Sequence, residues 1–194
     1  MIIAFLGVDG SGKSTVIEQF TRKVHSDWSE IKYIHFRPNL FLKSSSNGPV
    51  TNPHEGKSRG LFVSMIKSIY FIIEYNVAFI FNYFNPGQLI IYDRYSYDII
   101  ADPQRTKFSL PSWLSRAMIW IIPSPNLIFY LHAPVDVLYE RKKEINKSDL
   151  SAILDKYLIL SKVHKFHEID TNTPLEETID KILLIYYKST NSSV

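Results

Sequence analysis

The run Gly7-Val8-Asp9-Gly10-Ser11-Gly12-Lys13-Ser14-Thr15 restricts this chain more than any other segment. It fits the spacing G-x-x-x-x-G-K-[ST], with an apolar stretch before it and a helix-like pattern after it. Glycines let the backbone curl until successive N–H groups point inward. A helix starting at Lys13 turns its positive end toward the same point. Such a loop is built for a phosphate chain. Gly7, Asp9, Gly10, Ser11, Gly12, Lys13, Ser14 and Thr15 are therefore expected at a bound nucleotide. Lys13 would bridge the outer phosphates, and Ser14 would place its hydroxyl on Mg²⁺. The loop alone leaves transfer, hydrolysis and passive binding open.

The rest of the chain alternates short apolar runs with helical patterns. Strands are expected at Ile2 to Gly7, Ile31 to Phe36, "QLIIYDRY", "NLIFYLHA" and "FHEIDT". Helices are expected at Lys13 to His25, Leu61 to Phe84 with one possible break, Ser96 to Ala101, Pro111 to Ile121, Val135 to Lys143, Asp149 to His164 and Leu175 to Lys188. That alternation predicts an α/β fold, a five-stranded parallel sheet with helices on both faces. Ligands of such sheets bind beyond the carboxyl ends of the strands. The glycine loop, Arg37, Asp93, Arg94 and Thr171 each follow a strand and should converge there. Arg37 to Gly60 is rich in Ser, Asn, Pro and Gly and reads as a mobile loop at 37–60. The tail from 189 reads as frayed, and the whole chain of 194 residues as one domain.

Composition removes several function classes. There is no Cys, which excludes disulfides and thiolate chemistry and fits a reducing cytoplasm. The net charge of +3 suits anionic ligands, but no Lys/Arg block argues for nucleic acid. Leu61 to Phe84 is very apolar yet carries Lys67, Glu74, Asn76 and Asn82, so it reads as a core helix without a membrane role. It is apolar around more of its circumference than one sheet face can bury, which predicts a homodimer. His35, His132, His164 and His167 show no metal-pair spacing.

Asp93-Arg94 closes the third strand. A carboxylate there can orient Mg²⁺ or accept a proton, and an arginine can fork onto phosphate oxygens. "ERKKEINKSD" places Arg141, Lys142, Lys143 and Lys147 after a helix, as a basic lid at 141–149. Arg141 is the expected cation for transferred charge, while Lys142 reads as a solvated helix-end residue.

The glycine loop, the DRY segment and the order of elements resemble the thymidylate kinase family of phosphate-loop nucleoside and nucleotide kinases. The resemblance implies the three-layer phosphate-loop kinase fold, ATP with Mg²⁺, and a nucleoside monophosphate as acceptor. It puts Asp9 on the acceptor sugar, Arg94 on the acceptor phosphate, and Asp170 and Thr171 beside the adenine. It also implies pairing through the Leu61 to Phe84 region. Tyr75, Tyr97 and Arg37 complete the expected acceptor set. This chain differs from the family at three places. Arg37 precedes Pro38 where the family has an acid. Asp102-Pro103 replaces Tyr-Gln. The helix before the third strand contains no arginine. Gly10 stands where some members carry a loop arginine. A sugar-phosphate kinase therefore remains a second reading and a nucleotide-binding module a third. No strand is followed directly by the guanine reader Asn-Lys-x-Asp of switch GTPases; Asn146 to Asp149 has that spelling but comes after the Val135 to Lys143 helix.

Overall fold

The computed structural model describes residues 1–38, 60–85, 87–106 and 109–191. Most of the expected 37–60 loop lies outside the described residues. The strands are β1 (Ile2–Leu6), β2 (Glu30–His35), β3 (Gln88–Asp93), β4 (Leu127–His132) and β5 (His167–Asp170). All pair in parallel, in the order β2-β3-β1-β4-β5. The glycine loop thus leaves the central strand. β1 and β3 are buried along their full length, as a near-continuous apolar run covered on both faces should be.

One face carries α1 (Lys13–Val24) and α8 (Leu175–Asn191). Their core includes Phe5, Phe20, Phe129 and Tyr186. Phe5 stacks on Phe129 at 5.3 Å, and Phe20 meets Tyr186 edge-on at 5.4 Å. Fully burying an aromatic of this size contributes about 2 to 3 kcal/mol. The other face carries α2 (Leu61–Tyr83), α3 (Asp98–Ala101), α4 (Pro103–Thr106), α5 (Ser112–Ile121), α6 (Val135–Arg141) and α7 (Lys147–His164).

Several boundaries differ from the sequence expectation. Helix α2 runs unbroken. Helix α8 continues to Asn191, past the point where fraying was expected. A separate turn of helix, α4, follows α3, because Pro103 opens a new first turn after Asp102. Helix α7 starts two residues early because Asn146 caps it, its side chain accepting from the Asp149 N–H at 2.9 Å.

Among the described residues, α2 is the one helix long and apolar enough to cross a membrane. Its inner side is core, with Phe71, Tyr75 and Ala78 buried beside Ser64, Ser68 and Glu74. Its outer side leaves Phe62, Ile66, Ile69, Ile73, Ile80 and Phe81 exposed.

Candidate active site at the phosphate loop

Backbone geometry sets the loop. Gly7, Gly10 and Gly12 all have positive φ, at 143°, 81° and 80°. A Cβ at Gly7 would lie 2.4 Å from the Leu131 carbonyl oxygen, so the loop can leave β1 only through glycine. Gly12 precedes α1 without a side-chain cap, which leaves the first N–H groups of the helix for an anion. Ser14 and Thr15 are exposed at this end, and Ser11 is buried. Lys13 folds back over the loop, donating from Nζ to the carbonyls of Gly7 and Val8, each at 2.9 Å. Burial, with repulsion from Arg94, pulls its ammonium down to about 7. Asp93, Asp9 and Asp98 pull the other way.

The β3 side of the loop is dense with charge. Arg94 is buried with φ 76°, an uncommon conformation for a side chain of this kind. The turn is fixed because its N–H donates to the Phe5 carbonyl at 2.9 Å. Its guanidinium donates to the Gly7 carbonyl at 3.2 Å, to Asp98 at 2.9 Å, and to Asp9 Oδ1. Burial opposes that charge, but Asp98, Tyr157 and Asp9 outweigh it and raise the pKa. Asp98 is fully buried and also accepts from the Tyr157 hydroxyl at 2.9 Å. The other oxygen of Asp9 takes Arg105 at 2.6 Å and Lys142 at 3.3 Å. Burial works against its ionisation. Arg94, Arg105 and Lys13 prevail and hold the carboxyl far below its usual range.

Asp93 points the other way, toward the β2 edge. Its Oδ2 accepts from the Tyr33 hydroxyl at 2.9 Å, and its buried Oδ1 has no hydrogen-bond partner. That open oxygen and the exposed Ser14 hydroxyl fit a Mg²⁺ ion that keeps water and phosphate oxygens as its other ligands. Among the described residues no three carboxylates or imidazoles form an all-protein metal cage.

The β4 and β5 side is more open. A cleft of about 270 Å³ is lined by Gly10, Gly12, Thr15, Val16, Arg141, Thr171 and neighbouring α8 residues. Arg141 spans it, donating to the Thr171 carbonyl at 3.1 Å and to the Gly10 carbonyl at 3.4 Å. Thr171 is anchored by its own hydroxyl on the His132 carbonyl at 3.0 Å. Of the basic run, Arg141 and Lys142 reach the loop. Lys143 pairs with Glu140 at 3.2 Å and Lys147 with Asp136 at 2.6 Å, both away from it. Lys142, expected as a solvated charge, is exposed and also reaches Asp9.

Two residues expected at the acceptor lie in the buried core. Tyr75 is buried, edge-on to Tyr95 at 4.7 Å, with its hydroxyl spent on the Phe36 carbonyl. Tyr97 is buried against Phe166 at 4.9 Å and shares a hydrogen bond with Ser124 at 3.0 Å. Both fill the core under the site because their rings have more apolar area to bury than their hydroxyls have polar need. Arg37 lies 3.8 Å from the fully buried Glu74 of α2. Arg37, one of the places where this chain departs from the family pattern, is thus turned toward a carboxylate of α2.

Arg105, Asp98 and Tyr33 escaped the sequence reading. Arg105 and Asp9 are 96 positions apart, and no local spacing signals their meeting. An arginine following the DRY segment was the one available clue.

No protein-family model matches the chain. A curated relative, "Probable thymidylate kinase 1" of Saccharolobus solfataricus, is 24% identical over 201 residues, covering 97% of each chain. The solved thymidylate kinase of Candida albicans superposes with a TM-score of 0.65 at 19% identity, covering 98% of this chain and 92% of that one. The thymidylate kinase of Ehrlichia chaffeensis gives 0.61 at 15% identity, covering 96% and 98%. With this fold around this loop, and an alignment running nearly end to end, the chain is similar to the thymidylate kinases along its length and shares their phosphate-loop fold.

Proposed function

We propose that the chain is an ATP-dependent nucleoside monophosphate kinase with a thymidylate-like acceptor. The observation that carries this reading is the position of Asp9. It stands inside the phosphate loop and is gripped by Arg94 and Arg105 from beyond β3, so donor and acceptor sides meet at one carboxylate. A hydrolase or passive binder has no need of a cationic cluster on that second side.

The donor's phosphates occupy the loop, and its base faces the cleft beside Thr171. Lys13 leaves the Gly7 and Val8 carbonyls for the outer phosphate oxygens. Ser14 and Asp93 would hold Mg²⁺, which when bound neutralises phosphate charge. Arg94 exchanges Asp9 for the acceptor phosphate, and Asp9 is freed toward the acceptor sugar. An acceptor phosphate oxygen attacks the terminal phosphorus. The new P–O bond forms as the bond to the bridging oxygen of ADP breaks, and Arg141 neutralises the charge in transit.

The exposed apolar side of α2 supports a homodimer. A row of isoleucines and phenylalanines of this extent is costly to leave in water. The chemistry suits the cytoplasm, where ATP and monophosphates are found. Sedimentation at tens of micromolar should give twice the 22.5 kDa chain mass. A 22.5 kDa species would remove the dimer.

ADP release measured with dTMP, other monophosphates, thymidine, a sugar phosphate or no acceptor tests the activity. Release that depends on a nucleoside monophosphate is expected. Release with sugar phosphate alone would favour the second reading. Acceptor-independent release would overturn the transferase reading.

A further inference from the structure

We infer that Arg105 is a specificity residue that receives the phosphate of the acceptor and makes the site select a phosphomonoester over an uncharged alcohol; this rests on the kinase reading above. The argument is one of charge and exposure. Three cations, Arg94, Arg105 and Lys142, converge on the single carboxylate of Asp9, with Lys13 alongside. Asp9 is the carboxylate that all of them share, so an entering anion that takes its place meets several donors at once.

The cations differ in what else holds them. Arg94 keeps Asp98 when Asp9 departs, and Lys142 keeps Glu144 at 2.9 Å. Arg105 has Asp9 as its one ion-pair partner among the described residues. Its side chain is 18% exposed, against 5% for Arg94, so it can be reached from the open side.

Its backbone is fixed rather than loose. The Arg105 N–H donates to the Asp102 carboxylate at 3.1 Å, and Thr106 bonds back to the Asp102 carbonyl. Helix α4 thus presents the guanidinium at a set place beside Arg94, the two arginines holding different oxygens of Asp9. A monoester dianion entering between them replaces that carboxylate and takes two forked donors. The α2 helix supplies no arginine, and Arg37 is engaged with Glu74. Among the described arginines that reach Asp9, Arg105 supplies the second fork beside Arg94. Arg141 lies across the loop on the cleft side and does not compete.

The test uses the full chain, with calorimetric binding of dTMP and of thymidine beside steady-state kinetics. Arg105→Gln should weaken dTMP binding by about thirtyfold, the usual scale for losing a charged hydrogen bond. It should leave thymidine and ATP affinity within about twofold, and Arg105→Lys should recover part of the loss. If Arg105→Gln lowers kcat or melting temperature with the dTMP-to-thymidine preference unchanged, Arg105 only tethers α4 and the inference is overturned. Wild-type protein that binds dTMP no better than thymidine overturns it too. The kinase reading then stands or falls separately on ADP release with the other acceptors.

Discussion

The two flanks of the phosphate loop solve different problems. On the β4 and β5 side, Arg141 rests on two backbone carbonyls and the cleft beside it is open. On the β3 side, Arg94, Arg105 and Lys142 are already neutralised by carboxylates of the chain. Neutral carbonyls release a guanidinium at small cost. A buried carboxylate releases one only when another anion arrives, because an unpaired buried charge is expensive. The donor side is therefore ready, and the acceptor side is held in a self-paired state that a phosphate must exchange with.

The largest effect should come from breaking the acceptor side from below. Asp98→Ala removes the fully buried partner that Arg94 keeps throughout. It should destabilise the protein by about 3 to 5 kcal/mol in urea unfolding. A loss under about 1 kcal/mol would mean that Asp98 is not what holds Arg94. Next comes the seam between the flanks. Lys13→Ala should cut turnover 10²-fold or more while the chain stays folded, since the lysine is the loop's one cationic side chain and phosphates favour its charged form. Turnover within about tenfold of wild type would sink its assigned role.

A smaller change sharpens the difference between sides. Arg141→Ala should weaken ATP binding by about tenfold and leave acceptor KM unchanged, as expected for loss of one charged contact. The reverse pattern would move Arg141 to the acceptor side. The subtlest test is protonic. Lys13 sits at about 7 in the free protein, below its ordinary 10.5, because it is buried beside Arg94. Phosphates favour the charged form, so ATP binding should take up a proton between pH 7 and 10.5, and affinity should fall as pH rises through that window. Titrations at pH 8.5 in buffers of different ionisation enthalpy would measure an uptake of up to about one proton. Lys13→Ala is the control, and equal uptake by it would break the assignment.

How much of this was readable beforehand follows from the range of the forces involved. The loop and the sheet are set by neighbours in sequence: glycine spacing, period-two and period-3.6 patterns. Thr171 and Arg141 were found because each stands at the end of a regular element. Asp98 stands four positions after Arg94, a local spacing that could have pointed to it, but Arg105 and Tyr33 act through partners 96 and 60 positions away, Asp9 and Asp93. No local pattern encodes such meetings. The burial of Tyr75 and Tyr97 was not legible because a tyrosine carries both an apolar ring and a polar tip, and sequence does not say which one the fold uses. The 3.8 Å approach of Arg37 to Glu74 is likewise a meeting that the sequence did not signal.

Gly10 carries a consequence for how this chain can change over time. A Cβ there would stand 3.2 Å from the Leu138 carbonyl oxygen and 3.4 Å from the Cβ atoms of Arg141 and Lys142. The loop and the end of α6 are in contact with no room between them. A loop arginine at this position and an α6 arginine resting on the loop are therefore alternative solutions to the same need. Filling Gly10 would ask the end of α6 to give by a few tenths of an ångström, at a backbone φ of 81° that already disfavours a side chain. Gly10 thus ties the loop's sequence to the helix that closes over it.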